Sequence, residues 1–233
     1  MRGKQISAPQ RKIEKDRLKK RASRVLKFLR AAYPDARCHL DYNSPFELLI
    51  GCILSAQCTD KRVNSLTPGL FRKYPAPRSF ASAKPGELEK DIFSAGFYKN
   101  KARAIIGCSG VIDRRHGGET PSTMEELTAL PGVGRKTANV VLGNWFGKPG
   151  IIVDTHISRL SRRLGFSAAK TAEAIERDLM LLVPEKERTF FSNSLGDHGR
   201  EICKARKPLC AECGIFDICV WEGRREKAAP ASG

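Results

Sequence analysis

Residues 45–55 place apolar side chains at Phe46, Leu48, Leu49, Ile50, Cys52, Ile53 and Leu54. Ser44 ahead of them suits a helix N-cap, Pro45 the first helical position, and Glu47 completes a capping box. A helix that is hydrophobic on every side must be buried on every side. The stretch therefore demands a shell of other elements, and the sequence offers helices. Period-two alternation is scarce, whereas helical patterns are predicted at about 62–74, 85–94, 98–115, 123–129, 135–145, 155–163, 171–183 and 187–199. Ser122 with Glu125 forms a further capping box, Thr171 caps the segment that follows it, and proline and glycine, including Pro75 and Pro77, punctuate the gaps. The expected fold class is all-α, in one or two domains, with a frayed tail beyond Lys227.

The charge narrows the partner. The formal net charge is +17, and residues 1–37 hold thirteen Lys/Arg against three Asp/Glu. That surplus favours a polyanion, nucleic acid ahead of an anionic membrane surface. Residues 17–30 offer only Leu18, Val25, Leu26, Phe28 and Leu29 as an apolar face, which a helix docking on protein also needs. No run of about eighteen apolar residues is present, and the opening residues are charged, without a secretory apolar region. The expected location is cytoplasmic, in association with the nucleoid.

Between two helical patterns lies Leu130-Pro131-Gly132-Val133-Gly134-Arg135-Lys136. Two glycines let the backbone turn sharply, and the helix that follows opens with unpaired N–H groups. Such an end binds a phosphate without reading bases. A plain helix–helix connector uses the same pattern. Lys136 falls in the first turn, where the dipole and Arg135 both favour the free amine, a Schiff-base nucleophile. Asp154, in Val153-Asp154-Thr155-His156, either caps a helix or stabilises positive charge on a sugar.

Eight cysteines are present, and four of them, Cys203, Cys210, Cys213 and Cys219, fall within seventeen residues as C-x6-C-x2-C-x5-C. Thiolates so close need a metal centre, and the spacing leaves zinc and an iron–sulfur cluster both open. The loop between the first two holds Lys204, Arg206 and Lys207, suited to a phosphate backbone. Cys38, Cys52, Cys58 and Cys108 read as small core residues.

Leu130 through Val141 resembles the helix–hairpin–helix of the endonuclease III family of DNA glycosylase/lyases, and Val153–His156 and the cysteine spacing are similar to that family too. The resemblance covers roughly residues 25–222. It implies a [4Fe–4S] cluster on the four cysteines, Lys136 as the group attacking the sugar C1′, and Asp154 as its assistant. It also implies a six-helix barrel over 38–148 holding the hairpin (about 123–145), and a discontinuous helical domain of 1–37 plus 149–233 carrying the cluster, with the active site in the cleft between them. Gln57 is similar to the family's gap-filling glutamine. Phe97, in Gly96-Phe97-Tyr98, stands where members often carry leucine, and reads either as a wedge or as core. Gly132, Val133, Gly134 and Arg135 would hold phosphate. His156 and His198 are expected to make structural hydrogen bonds. The implied activity is removal of oxidised pyrimidines from double-stranded DNA with cleavage at abasic sites, by a monomer. Two alternatives compete: a monofunctional adenine- or mismatch-type glycosylase, which would lack the lysine, and a non-catalytic DNA-binding module, which needs neither Lys136 nor Asp154.

Overall fold

The computed structural model describes residues 8–224; the tail beyond Lys227 lies outside them. The α-helices are α1 (Ala8–Ala32), α2 (Pro45–Ser55), α3 (Asp60–Lys73), α4 (Pro77–Ala81), α5 (Pro85–Asp91), α6 (Tyr98–Arg115), α7 (Met124–Thr128), α8 (Arg135–Asn144), α9 (Thr155–Arg163), α10 (Ala172–Met180) and α11 (Arg188–Glu201). Short 3-10 turns join some of them, and no strand occurs among the described residues. The chain divides into two compact units. One is Cys38–Pro149; the other combines the described residues up to Arg37 with those from Gly150 onward.

The middle unit is built round α2, whose residues Phe46 and Leu48–Leu54 are all buried. α3, α6 and α8 pack against it. Its capping box closes one residue early: the Glu47 N–H donates to Ser44 Oγ at 3.1 Å, but Glu47 Oε2 receives the Asn43 N–H at 2.6 Å. α7 starts from Thr123, not Ser122. The sequence contains two overlapping candidate boxes, Ser122–Glu125 and Thr123–Glu126, and the second supplies the cap: the Thr123 hydroxyl accepts the Glu126 N–H at 3.2 Å and donates to Glu126 Oε2 at 2.6 Å. α4 lies where prolines suggested only a gap. Pro77 occupies its first turn without needing an N–H, and Phe80 fixes it to the core. The pattern over 85–94 breaks after Asp91 into a 3-10 turn, Phe93–Ala95.

In the other unit α1 contributes Ala22, Val25 and Leu29 to a core with Ile157, Leu160, Ile175, Leu179, Phe191 and Leu195. α1 and α9 both pack on α11. Thr171 caps α10 by accepting the Ala174 N–H at 3.3 Å. Between Lys12 and Lys20 only Leu18 is even partly buried, so this stretch of α1 is a solvated basic arm.

Candidate active site and cluster site

α7 and α8 pack on each other, and the turn between them is seated on α6. Gly132 has φ +76°, and a Cβ there would fall 2.5 Å from the Ala104 Cβ. Pro131 lies against Gly107, so small residues of α6 admit the hairpin. Val133 is buried and its N–H donates to Leu130 O at 3.1 Å; it anchors the turn. Gly134 caps α8 without a side chain, and its surroundings are open. The first N–H groups of α8 are thus not covered by a capping side chain, as an anion site requires. Arg135 and Lys136 are exposed in this first turn. Ala138, Val141 and Leu142 are the buried side of the helix, which packs on α2. Burial and nearby Cys38 push the Cys52 thiol up, and the Lys136 charge opposes them. That places Lys136 within electrostatic reach of the central helix.

Gln57 and Phe97 are both exposed, and both have left-handed backbones, φ +54° and +48°. They are the only non-glycine residues with positive φ among the described residues. Phe97 is 61 % exposed, which excludes the reading of it as core. Phe93, also exposed, packs its ring on Tyr98 at 4.9 Å beside the same turn.

Asp154 is the N-cap of α9, receiving the Ile157 N–H on Oδ1 at 2.8 Å. The bond engages one of two carboxylate oxygens, so capping and chemistry are compatible.

Cys203, Cys210, Cys213 and Cys219 line one pocket together with Ile202, Pro208, Leu209, Phe216, Trp221 and Arg224. Four thiolates among largely apolar walls fit a [4Fe–4S] cluster, which takes each thiolate on its own iron. Arg163 donates to Cys203 Sγ at 3.2 Å and stacks on Trp221 at 4.1 Å. It also holds the basic loop from inside, through the carbonyls of Lys204 and Ala205 at 2.9 and 3.0 Å. Lys204, Arg206 and Lys207 are left exposed. His198 is buried between Tyr33 Oη at 3.1 Å and Cys213 Sγ at 3.5 Å, and burial pushes its pKa down to about 4. His156 pairs with Arg159 at 3.2 Å. Both histidines make structural hydrogen bonds.

Comparison with known proteins identifies the chemistry. Residues 50–185 match the HhH-GPD superfamily of base excision DNA repair proteins, and residues 203–219 match the iron–sulfur binding domain of endonuclease III. Endonuclease III of Synechocystis sp. is 50% identical over 202 residues, 86% of this chain and 92% of that protein. The chain belongs to the endonuclease III family. The enzyme of Bacillus subtilis is 44% identical over 196 residues, 84% of this chain and 90% of that one. A trapped endonuclease III–DNA covalent intermediate superposes with a TM-score of 0.86 at 40% identity, covering 91% of this chain and 99% of that one. A thermostable thymine-DNA glycosylase reaches 0.78 at 26% identity, covering 88% and 96%. This endonuclease III family member is accordingly a DNA-binding base-excision repair enzyme, a glycosylase and abasic-site lyase of the helix–hairpin–helix fold with a [4Fe–4S] cofactor.

Sequence reading missed several residues that build these sites. Arg159 and Arg163 look like an ordinary charged helix face until their carbonyl partners are seen. Lys101 carried a readable signal: it recurs with Ile105, Cys108 and Ile112 at the spacing of the buried side of α6.

Proposed function

We propose that Lys136 is the nucleophile of a bifunctional glycosylase acting on oxidised or ring-saturated pyrimidines and on abasic sites in double-stranded DNA. The observation that carries this is the exposed amine in the first turn of α8, directly after a hairpin that gives that helix end no side-chain cap. A phosphate held there by backbone N–H groups and Arg135 would place the sugar near the amine. Gly132, Val133 and Gly134 shape the turn, and Lys204, Arg206 and Lys207 give a second phosphate-binding patch, for which their exposure on a pinned loop is the support. Gln57 and Phe97 fill the gap left when the base is turned out of the stack.

The Lys136 amine attacks C1′, the damaged base departs with the bonding electrons, and the nitrogen loses a proton; the nitrogen lone pair then breaks C1′–O4′, O4′ taking up a proton as the ring opens, to give the imine in its protonated form. Removal of a C2′ proton then expels the 3′ phosphate by β-elimination. Asp154, the N-cap of α9, stabilises the positive charge that develops on the sugar. Cys203, Cys210, Cys213 and Cys219 hold the cluster, which staples the basic loop in place. The enzyme works as a monomer in the cytoplasm, at the nucleoid; among the described residues no helix is long and apolar enough to cross a membrane.

The test is borohydride trapping on a duplex with one abasic site. Wild type should give a covalent adduct, and Lys136→Ala should give none while retaining the absorbance of the cluster. An adduct of undiminished yield from the variant would remove Lys136 from this role. No adduct from cluster-bearing wild type would mean a monofunctional enzyme.

A further inference from the structure

α6 carries a lysine where its core side should be apolar. Lys101 is buried, with 5 % exposure, in line with Ile105, Cys108 and Ile112. A buried ammonium is costly unless its donors are met, and burial does push the Lys101 pKa down. Lys101 Nζ donates to Leu54 O at 2.7 Å and to Ala95 O at 2.9 Å. Neither acceptor sits in mid-helix. Leu54 O belongs to the last turn of α2, where carbonyls lose their helical partners. Ala95 O closes the 3-10 turn Phe93–Ala95.

Each carbonyl lies shortly ahead of one of the two left-handed residues, Leu54 three residues before Gln57 and Ala95 two before Phe97. Side-chain-bearing residues in that conformation persist only where the surroundings impose it, and they concentrate at functional sites. Here a single ammonium grips the chain just ahead of both. The two turns come from segments far apart in sequence, yet they cannot shift independently without breaking a charge-assisted bond in a buried place.

We propose that Lys101 is a positioning residue, which ties Leu54 O and Ala95 O together so that Gln57 and Phe97 enter the opened duplex as one rigid pair. This rests on the reading of those two side chains as gap fillers. The pair would meet the DNA already spaced for the gap, with no ordering cost at the moment the base turns out. Its effect is therefore greatest when a paired, stacked base must be displaced, and least at an abasic site, where no base resists.

The experiment compares Lys101→Met, which keeps the stem and removes every donor, with Lys101→Arg, which keeps charge and donors. Two duplexes are used: one with thymine glycol beside 2-aminopurine, whose fluorescence reports unstacking, and one with a preformed abasic site. Lys101→Met is expected to lose the unstacking signal, and its single-turnover base release should fall about tenfold further than its cleavage of the abasic site; Lys101→Arg should restore part of both. Equal losses on the two duplexes would mark a merely structural lysine and overturn the proposal, as would normal unstacking by Lys101→Met. If Lys101→Met does not fold, Lys101→Gln, which retains one donor group, is measured on the same duplexes under the same criteria. Failure of the underlying reading is visible separately: Gln57→Ala and Phe97→Ala would then leave unstacking intact with Lys101 in place, and the proposal would fall with it.

Discussion

Replacing Gly132 with alanine tests the seating of the hairpin, because the structure assigns two separate costs to one methyl group. The backbone at φ +76° is left-handed, which costs a residue with a Cβ about 1–2 kcal/mol. The new Cβ would also lie 2.5 Å from the Ala104 Cβ, whereas carbon atoms prefer about 3.5–4.0 Å. Neither atom is at the end of a flexible side chain, so the turn must lift from α6 by about 1 Å, an overpacking that typically costs about 1–3 kcal/mol. The sum is a destabilisation of about 2–5 kcal/mol, read from urea unfolding followed by far-UV circular dichroism, with the slope unchanged. Ala104→Gly removes the opposing methyl but not the backbone cost, and by itself costs about 0.5–1 kcal/mol as a helical glycine. The double variant should thus recover about 1–3 kcal/mol relative to additivity. Gly132→Ala costing under about 1 kcal/mol, or a double variant that is simply additive, would refute the reasoning.

At Asp154, asparagine should keep the helix cap and alanine should lose about 1 kcal/mol of stability, while both slow base release; an Asn variant with normal turnover would leave Asp154 a cap alone. Substituting Lys204, Arg206 and Lys207 together by alanine should flatten the slope of log affinity against log salt by about 2.7, at about 0.9 for each phosphate no longer neutralised. Deleting residues 1–20 should flatten it further, and an unchanged slope in either case would take those cations off the DNA. Gly214→Ala would put a Cβ 2.3 Å from the Phe28 ring, so the cluster should be lost at lower temperature, as followed by its visible absorbance; unaltered retention would mean that α1 does not brace the cluster loop.

What the sequence made legible follows from how locally each feature is determined. The all-apolar α2, the limits of α6 and α9 and the Thr171 cap depend on residues within a turn or two, and they form where the pattern put them. The helix-hairpin-helix and the cysteine spacing are equally local, and the all-α fold and the cluster followed from them. The start of α7 was not legible, because Ser122 and Thr123 each have a glutamate three residues on and only packing chooses between them. α4 was hidden because its stability comes from Phe80 reaching the core, which no property of a five-residue segment reveals. The left-handed backbones of Gln57 and Phe97 were invisible for a related reason: neither residue type favours that conformation, and the tertiary structure imposes it.

That imposition has a common source. Lys101, Ala104 and Gly107 follow one another at intervals of three along α6, so successive turns of one side of the helix meet three different loops. Lys101 grips the approaches to Gln57 and Phe97, Ala104 limits residue 132 to glycine, and Gly107 receives Pro131. Two of these positions act by being small and one by being charged where its neighbours are apolar. A loop takes its conformation from what it rests on, and here the turns assigned to the phosphate and to the opened base stack rest on the same straight element. Their spacing is then set by the rise of an α-helix, about 1.5 Å per residue, and not by the flexible segments that carry the side chains. A helix of this kind converts three short, irregular turns into a fixed surface, which is what a reaction that must hold a displaced base and a phosphate at once demands of its protein.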